Sequence, residues 1–108
     1  MAQIDELELQ RLMQRFEHEI VQVNRTHIGE ITGEITERDI VRLGEAISIR
    51  RANYLKSVLE MSAMEDGSLV TRLTDEVKKN RLLYEETMAG FAALRHALER
   101  GYVEVHDN

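Results

Sequence analysis

The 108-residue sequence contains no proline, no cysteine and no tryptophan. Because proline breaks helix interiors, its absence leaves long uninterrupted helices possible. The absence of cysteine excludes disulfides and thiolate catalysis. No apolar run approaches the ~20 residues that a transmembrane helix needs. The acidic N-terminus lacks the basic and apolar blocks of a signal peptide. These absences predict a cytoplasmic, helical protein that works outside the membrane.

Acidic side chains outnumber basic ones by 20 to 14, and the formal net charge is −6. A protein that binds nucleic acid needs a basic face that displaces counterions from the phosphates. The nearest candidate here is Arg50 and Arg51 with Lys56, which is too small and too diluted by its neighbours. We therefore expect neither nucleic acid nor a membrane as a partner, and we do expect a protein partner.

Three weak points divide the sequence into segments of about 30 residues. The first is the repeat of Gly29–Thr32 in Gly33–Thr36, the second is the turn signal around Gly67, and the third is Gly101. The sequence predicts helices over about residues 3–30, 37–65 and 69–100, with a short tail at 101–108 that forms a strand or packs as a coil. The length predicts one helical domain over residues 1–108.

Apolar residues recur in steps of three and four along each segment, with one step of five in the first, which is the period of an amphipathic helix. The first stripe is Leu9, Leu12, Phe16, Ile20, Val23, Ile28, Ile31 and Ile35. The second stripe is Ile40, Leu43, Ile47, Tyr54, Val58 and Met61, with Arg50 and Arg51 in its gap. The third stripe is an unbroken heptad series of Val70, Leu73, Val77, Asn80, Tyr84, Thr87, Phe91, Leu94 and Leu98. The third helix is therefore expected to be coiled-coil-like.

Short connections make sequential helices antiparallel, so the sequence predicts an all-α fold, an elongated up-down-up three-helix bundle. The alternative is a long hairpin of the second and third helices, with the first helix exchanged with a partner chain. A slender bundle buries little surface, which favours a homo-oligomer. The apolar residues that such a bundle leaves uncovered are the interface candidates: Leu55, Leu59, Leu82 and Leu83.

Two polar residues, Asn80 and Thr87, occupy core positions of the third helix. Counting away from the turns places Asn80 level with Tyr54 and with the Glu17–His18 pair, and Arg51 one turn away. The sequence thus predicts a polar layer across the bundle: Glu17, His18, Arg51, Tyr54 and Asn80. Such a layer costs stability and fixes register. The alternative is a ligand or proton-transfer site.

His18 lies between Glu17 and Glu19, off the main stripe of its helix. An exposed imidazole beside a carboxylate is typical of phospho-accepting histidines on helical hairpins. A phosphotransfer bundle is therefore one alternative function, although three matching residues also fit an ordinary surface histidine.

A metal site is the other alternative, because His27, Glu30 and Glu34 share one helical face. In the antiparallel arrangement His96 reaches the same end of the bundle. Four-helix di-iron sites place Glu three residues before His, whereas here the order is His27 before Glu30. We expect no cofactor, and these four residues are the ligand candidates if a metal binds.

Gly29 and Gly33 either break the first helix before Thr36 or allow a close helix crossing, and we favour the break. The sequence shows neither a phosphate-binding loop nor a serine nucleophile elbow. We therefore expect no enzyme. The function that the sequence favours is that of an interaction module (an adaptor, small chaperone or assembly subunit) that associates with itself and binds partner helices through apolar faces.

Overall fold

The computed structural model describes residues 3–65 and 67–107, and of residues 68 and 69 it describes only the backbone. Its elements are α1 (Glu6–Thr32), β1 (Ile35–Thr36), α2 (Glu37–Ser62), α3 (Gly67–Glu99) and β2 (Val105–His106). The prediction of an all-α fold with three helices is confirmed, since the helices contain 27, 26 and 33 residues. Within the described residues, none of these helices is long and apolar enough to cross a bilayer.

The first helix begins later than its apolar pattern suggests, at Glu6, because Asp5 caps it. The Asp5 carboxylate accepts a hydrogen bond of 2.8 Å from the backbone N–H of Glu8. This is the arrangement of an N-cap residue three positions before an acidic residue. The first turn also holds Glu6 and Glu8, whose charges suit the positive end of the helix dipole.

α1 continues through Gly29 and ends at Gly33, where φ is 71°. That positive angle favours glycine, and the Gly33 N–H donates to the carbonyl of Gly29 over 2.9 Å. A Cβ added at either glycine would meet no described atom within 4 Å. The expectation of a break before Thr36 is therefore confirmed at Gly33, and the pair does not mark a close crossing of described helices.

The chain forms two compact units. The terminal unit is Met1–Thr36 with His96–Asn108, and the hairpin unit is Glu37–Arg95. The single domain expected from the chain length stays a prediction. Asp66 of the predicted turn, and the first two residues and the last one, lie outside the described residues.

The terminal unit contains a short parallel strand pair that the sequence analysis did not foresee. Ile35 lies opposite Val105, and Thr36 lies opposite His106. A strand was expected only in the tail, and Ile35 was assigned to a helical stripe. That assignment is wrong, because Gly33 ends α1 and the β-branched Ile35 and Thr36 then favour an extended backbone.

The hairpin unit joins α2 to the antiparallel first nine-tenths of α3, and the two predicted stripes, up to Leu94, lie along their contact. Every described member of these stripes is half-buried, apart from Thr87, which is buried. Among the described residues the buried side chains are Ser57 and Thr87, at 4% and 8% exposure. No apolar side chain among the described residues is buried. The seam between α2 and α3 therefore exists, but it buries its apolar side chains only in part.

Candidate interaction surfaces

The exposed face of α1 carries a heptad stripe, which we call the α1 stripe. Its members are Leu9, Met13, Phe16, Ile20 and Val23. Their exposures are 49%, 49%, 54%, 38% and 54%, which is high for large apolar residues. The steps of four, three, four and three define a coiled-coil seam. The stripe predicted from the sequence contains Leu12 in place of Met13 and therefore departs from the strict heptad.

The opposite face of α1 is held by the C-terminal residues, and we call this contact the clasp. Arg25 Nε donates to the carbonyl of Gly101 over 2.6 Å. An Arg25 guanidinium nitrogen also lies 3.3 Å from Glu104 Oε1. On the clasp side Val21 and Ile28 are half-buried. The clasp therefore leaves the α1 stripe uncovered, because Arg25 lies across the helix from Phe16 and Val23.

The geometry of Gly101 directs the clasp toward α1. Gly101 has φ of 76°, and its N–H donates to Leu98 while the N–H of Tyr102 donates to Ala97. These two bonds form a Schellman motif, which reverses the chain after a helix. The ring of His96 contacts Tyr102 edge-on at 6.3 Å between centroids. The sequence indicated that Gly101 ends the third helix, but it did not indicate that the residues after Gly101 contact α1.

A groove of about 390 Å³ opens beside the clasp. Its walls include Ile28, Gly29, Ile35, Tyr102 and Val103. Arg25 and Glu104 also line it, but each already binds the other across the clasp. Thr32, Glu34 and His106 line it as well, so the groove offers an apolar wall with three polar side chains beside it.

A cluster of arginine and tyrosine side chains joins α2 to α3 in the hairpin unit. The Tyr54 and Tyr84 rings stack at 6.1 Å between centroids. Arg51 Nε donates to the Tyr84 hydroxyl over 3.1 Å, and its guanidinium lies 5.4 Å from the centre of the same ring. Arg50 donates to the buried hydroxyl of Thr87, which in turn donates to the carbonyl of Leu83 over 2.6 Å. The cluster fixes the register of the hairpin.

The ring of Tyr54 meets Tyr84, one turn beyond the Asn80 that the predicted register placed level with it. Side chains of a helix lean toward its N-terminus. Those of α2 therefore lean away from the loop of the hairpin, and those of α3 lean toward it. A residue of α2 thus meets a residue of α3 whose Cα lies farther from the loop. Asn80 is half-buried on the predicted face of α3.

The other two residues of the predicted polar layer lie on α1 in the terminal unit. Glu17 and His18 are both exposed, so neither is a core residue in the single chain. A polar layer that joins Glu17 and His18 to Arg51, Tyr54 and Asn80 stays a prediction. The exposure of His18 meets the accessibility that phosphotransfer requires, and phosphotransfer also stays a prediction.

The four interface candidates of the hairpin unit are exposed, as the sequence analysis expected. We call Leu55, Leu59, Leu82 and Leu83 the hairpin leucines. Their exposures range from 43% at Leu83 to 68% at Leu59. Leu55 and Leu59 are one turn apart on α2, and Lys56 beside them pairs with Glu60 over 3.7 Å. Charged side chains thus surround these leucines, as at the rim of an interface.

The metal candidates all belong to the terminal unit, and the structure does not assemble them. His27 Nδ1 lies 3.9 Å from a Glu30 carboxylate oxygen one turn away on the same helix. His96 instead contacts the Tyr102 ring. Across residues 3–65 and 67–107, no three histidine, aspartate or glutamate side chains are grouped so that they could hold a metal ion.

The chemistry that these surfaces support is association. They present large apolar side chains in helical rows, with carboxylates and guanidiniums at the margins. No family model, curated protein or solved structure matches the chain.

Proposed function

We propose that this chain is a non-enzymatic interaction module, an adaptor, small chaperone or assembly subunit, that associates with itself and binds apolar helices of a protein partner. The observation that carries the proposal is the combination of exposed apolar rows with the absence of any buried apolar side chain among the described residues. A row of apolar residues at helical spacing fits the groove or face of another amphipathic helix.

Among the hairpin leucines, Leu55 and Leu59 form one row on α2, and this row is the surface that we assign to the partner. Leu59 is 68% exposed, and it lies one turn from Leu55 on α2. Covering one such leucine completely is worth about 1.5–3 kcal/mol. The partner buries its own apolar side chains against this row, so about four side chains are covered in all and contribute roughly 6–12 kcal/mol. An association cost of about 4 kcal/mol leaves up to about 8 kcal/mol, which corresponds to the micromolar range.

Charge favours a partner helix with basic margins, because the chain carries a net charge of −6. Complementary charge at an interface accelerates association and excludes wrong partners more than it adds affinity. The partner is therefore an amphipathic helix with leucine-type residues on one face and lysine or arginine beside them.

The experiment uses a synthetic amphipathic helix with leucine at its a and d positions and lysine at the flanks. Its fluorescence anisotropy is measured as the full-length protein is added. We expect binding in the micromolar range, and Leu59→Asp should weaken it at least about tenfold by placing a carboxylate in an apolar contact. Asn53→Asp is the matched control, because it adds the same charge at an exposed position of α2.

A scrambled peptide of the same composition separates helical recognition from simple charge attraction. Equal binding of the ordered and scrambled peptides would contradict the proposal. Equal losses from Leu59→Asp and Asn53→Asp would also contradict it, because the hairpin leucines would then have no special part in binding.

A further inference from the structure

We infer that the α1 stripe is covered by the α1 stripe of a second copy of this chain, in a parallel and in-register coiled coil. This inference rests on the self-association in the proposed function and deepens it by naming the surface, the partner and the orientation. It concerns α1 alone and leaves the hairpin leucines free for another helix.

The first reason to choose a second copy is the apolar row that α1 leaves uncovered. The five members of the α1 stripe are large apolar side chains, and they are 38–54% exposed. An apolar row of this kind on a folded chain marks an interface with another helix. A second copy of the chain supplies the same row at the same spacing and is present wherever the chain is.

The second reason is the pattern of the stripe. Leu9, Phe16 and Val23 take the d positions of a heptad, and Met13 and Ile20 take the a positions. In a parallel pair each layer places a residue against its own copy, so all five apolar layers are used. The face opposite the seam carries Arg11, His18 and Arg25. Arg25 is engaged in the clasp, so the clasp and the dimer use different sides of α1.

The residues beside the stripe favour the parallel orientation. In a parallel pair Leu12 faces Glu17 of the second copy and Glu19 faces Asn24, so no like charges meet at these flanking positions. The next a positions, Glu6 and His27, meet their own copies only beyond the two ends of the five apolar layers. The antiparallel registers that match a with d positions are worse. One of them places Val23 against Glu6. The other places Leu9 against His27 and sets each Glu17 and Glu19 beside its own copy.

The decisive experiment uses the absence of native cysteine, because one introduced thiol can crosslink only to its copy. Leu9→Cys is a d position, where the two Cα atoms of a parallel coil come within disulfide range. In the two antiparallel registers the Leu9 positions are separated by at least about 11 residues, or about 16 Å, along the helix. We expect rapid oxidation of Leu9→Cys to a covalent dimer. Arg11→Cys, on the opposite face, is the matched control and should remain mostly monomeric in denaturing electrophoresis.

Sedimentation equilibrium of the cysteine-free protein supplies the second measurement. We expect a dimer at micromolar concentration, and Phe16→Asp should raise the dissociation constant about a hundredfold by placing a charge in the seam. Gln14→Asp is its control, since it adds the same charge outside the seam. Circular dichroism shows whether Phe16→Asp still folds, and the Leu9→Cys result does not depend on that variant.

A monomeric mass at all concentrations, or equal crosslinking of Leu9→Cys and Arg11→Cys, would overturn the inference. A dimer without the Leu9 crosslink would overturn its parallel orientation. Peptide binding by the hairpin leucines is scored separately. A failed peptide experiment with a Leu9 crosslink would thus contradict the partner surface alone, and the converse would contradict the coiled coil alone.

Discussion

Two helices of this protein carry the same heptad pattern, but the apolar stripe of one is covered within the chain and that of the other is exposed. The stripe of α3 lies against α2, and its described members are half-buried or, at Thr87, buried. The α1 stripe has the same steps of three and four, yet its five members remain 38–54% exposed. The periodicity of a sequence selects the face of a helix that has to be covered. It does not say which chain supplies the cover.

The two phenylalanines of the chain give the sharpest test of this contrast, because Phe91 lies on α3 and Phe16 on α1. Phe91→Ala should cost about 2–3 kcal/mol, less than the full 3–5 kcal/mol of a buried phenylalanine, since Phe91 is half-buried. Its melting temperature should fall at every protein concentration. Phe16→Ala should instead remove the rise of melting temperature with concentration that a dimer shows.

Equal and concentration-independent losses in the two phenylalanine variants would contradict the contrast. Thermal melts followed by circular dichroism over a hundredfold range of protein concentration provide the measurement.

The arginine–tyrosine cluster distinguishes packing from hydrogen bonding within the covered seam. Tyr84→Ala removes both the stack with Tyr54 and the acceptor for Arg51, and should cost about 1–2 kcal/mol. Tyr84→Phe keeps the stack and should cost less than about 1 kcal/mol, because Arg51 is exposed and water replaces the hydroxyl. Urea unfolding measures both free energies. A Tyr84→Phe loss as large as that of Tyr84→Ala would show that the hydroxyl, and not the stack, holds the register.

Two glycine substitutions with opposite expected effects on stability test the clasp on the other face of α1. Gly101→Ala should destabilise the protein by about 1 kcal/mol, because φ is 76° there. Gly29→Ala should stabilise it by about 0.5–1 kcal/mol, because Gly29 lies inside α1 with open space around its Cα. Urea unfolding of both variants at one protein concentration gives the two signs. Matching signs would show that the glycine at residue 101 does not direct the clasp.

Asn80 gives the smallest expected effect. Its half-buried side chain lies on the covered face of α3, so Asn80→Leu should raise the unfolding free energy by about 0.5 kcal/mol and relax the choice of register or oligomer state. Melting temperature and sedimented mass are the measurements. If both are unchanged, Asn80 is not part of the seam.

The three helices and their covered faces follow from local information. Residues such as Leu73, Val77 and Leu94 recur at the helical period, no proline interrupts them, and Gly33 and Gly101 end two helices. The capping role of Asp5 is local as well, because the acidic Glu8 follows three residues later and its backbone N–H donates to Asp5. These features depend on residues within one or two turns of each other.

The pairing of Tyr54 with Tyr84 was missed for a different reason. The count from the turn treated each residue as a point on the helix axis, whereas the side chains lean along it. The clasp was missed because nothing near Arg25 in the sequence indicates Gly101 or Glu104 as its partners. Contacts between distant segments depend on the whole fold, and one sequence without relatives gives no direct sign of them.

The clasp also has a consequence for the order in which the protein folds. Arg25 and Gly101 are separated by 76 residues, and β1 pairs with β2, which follows α3. The hairpin unit joins neighbouring helices, so its contacts have low sequence separation. During synthesis we expect α2 and α3 to meet first, while α1 waits for residues 101–106 to leave the ribosome. A nascent chain stopped before residue 101 would therefore hold a formed hairpin and an α1 without its clasp.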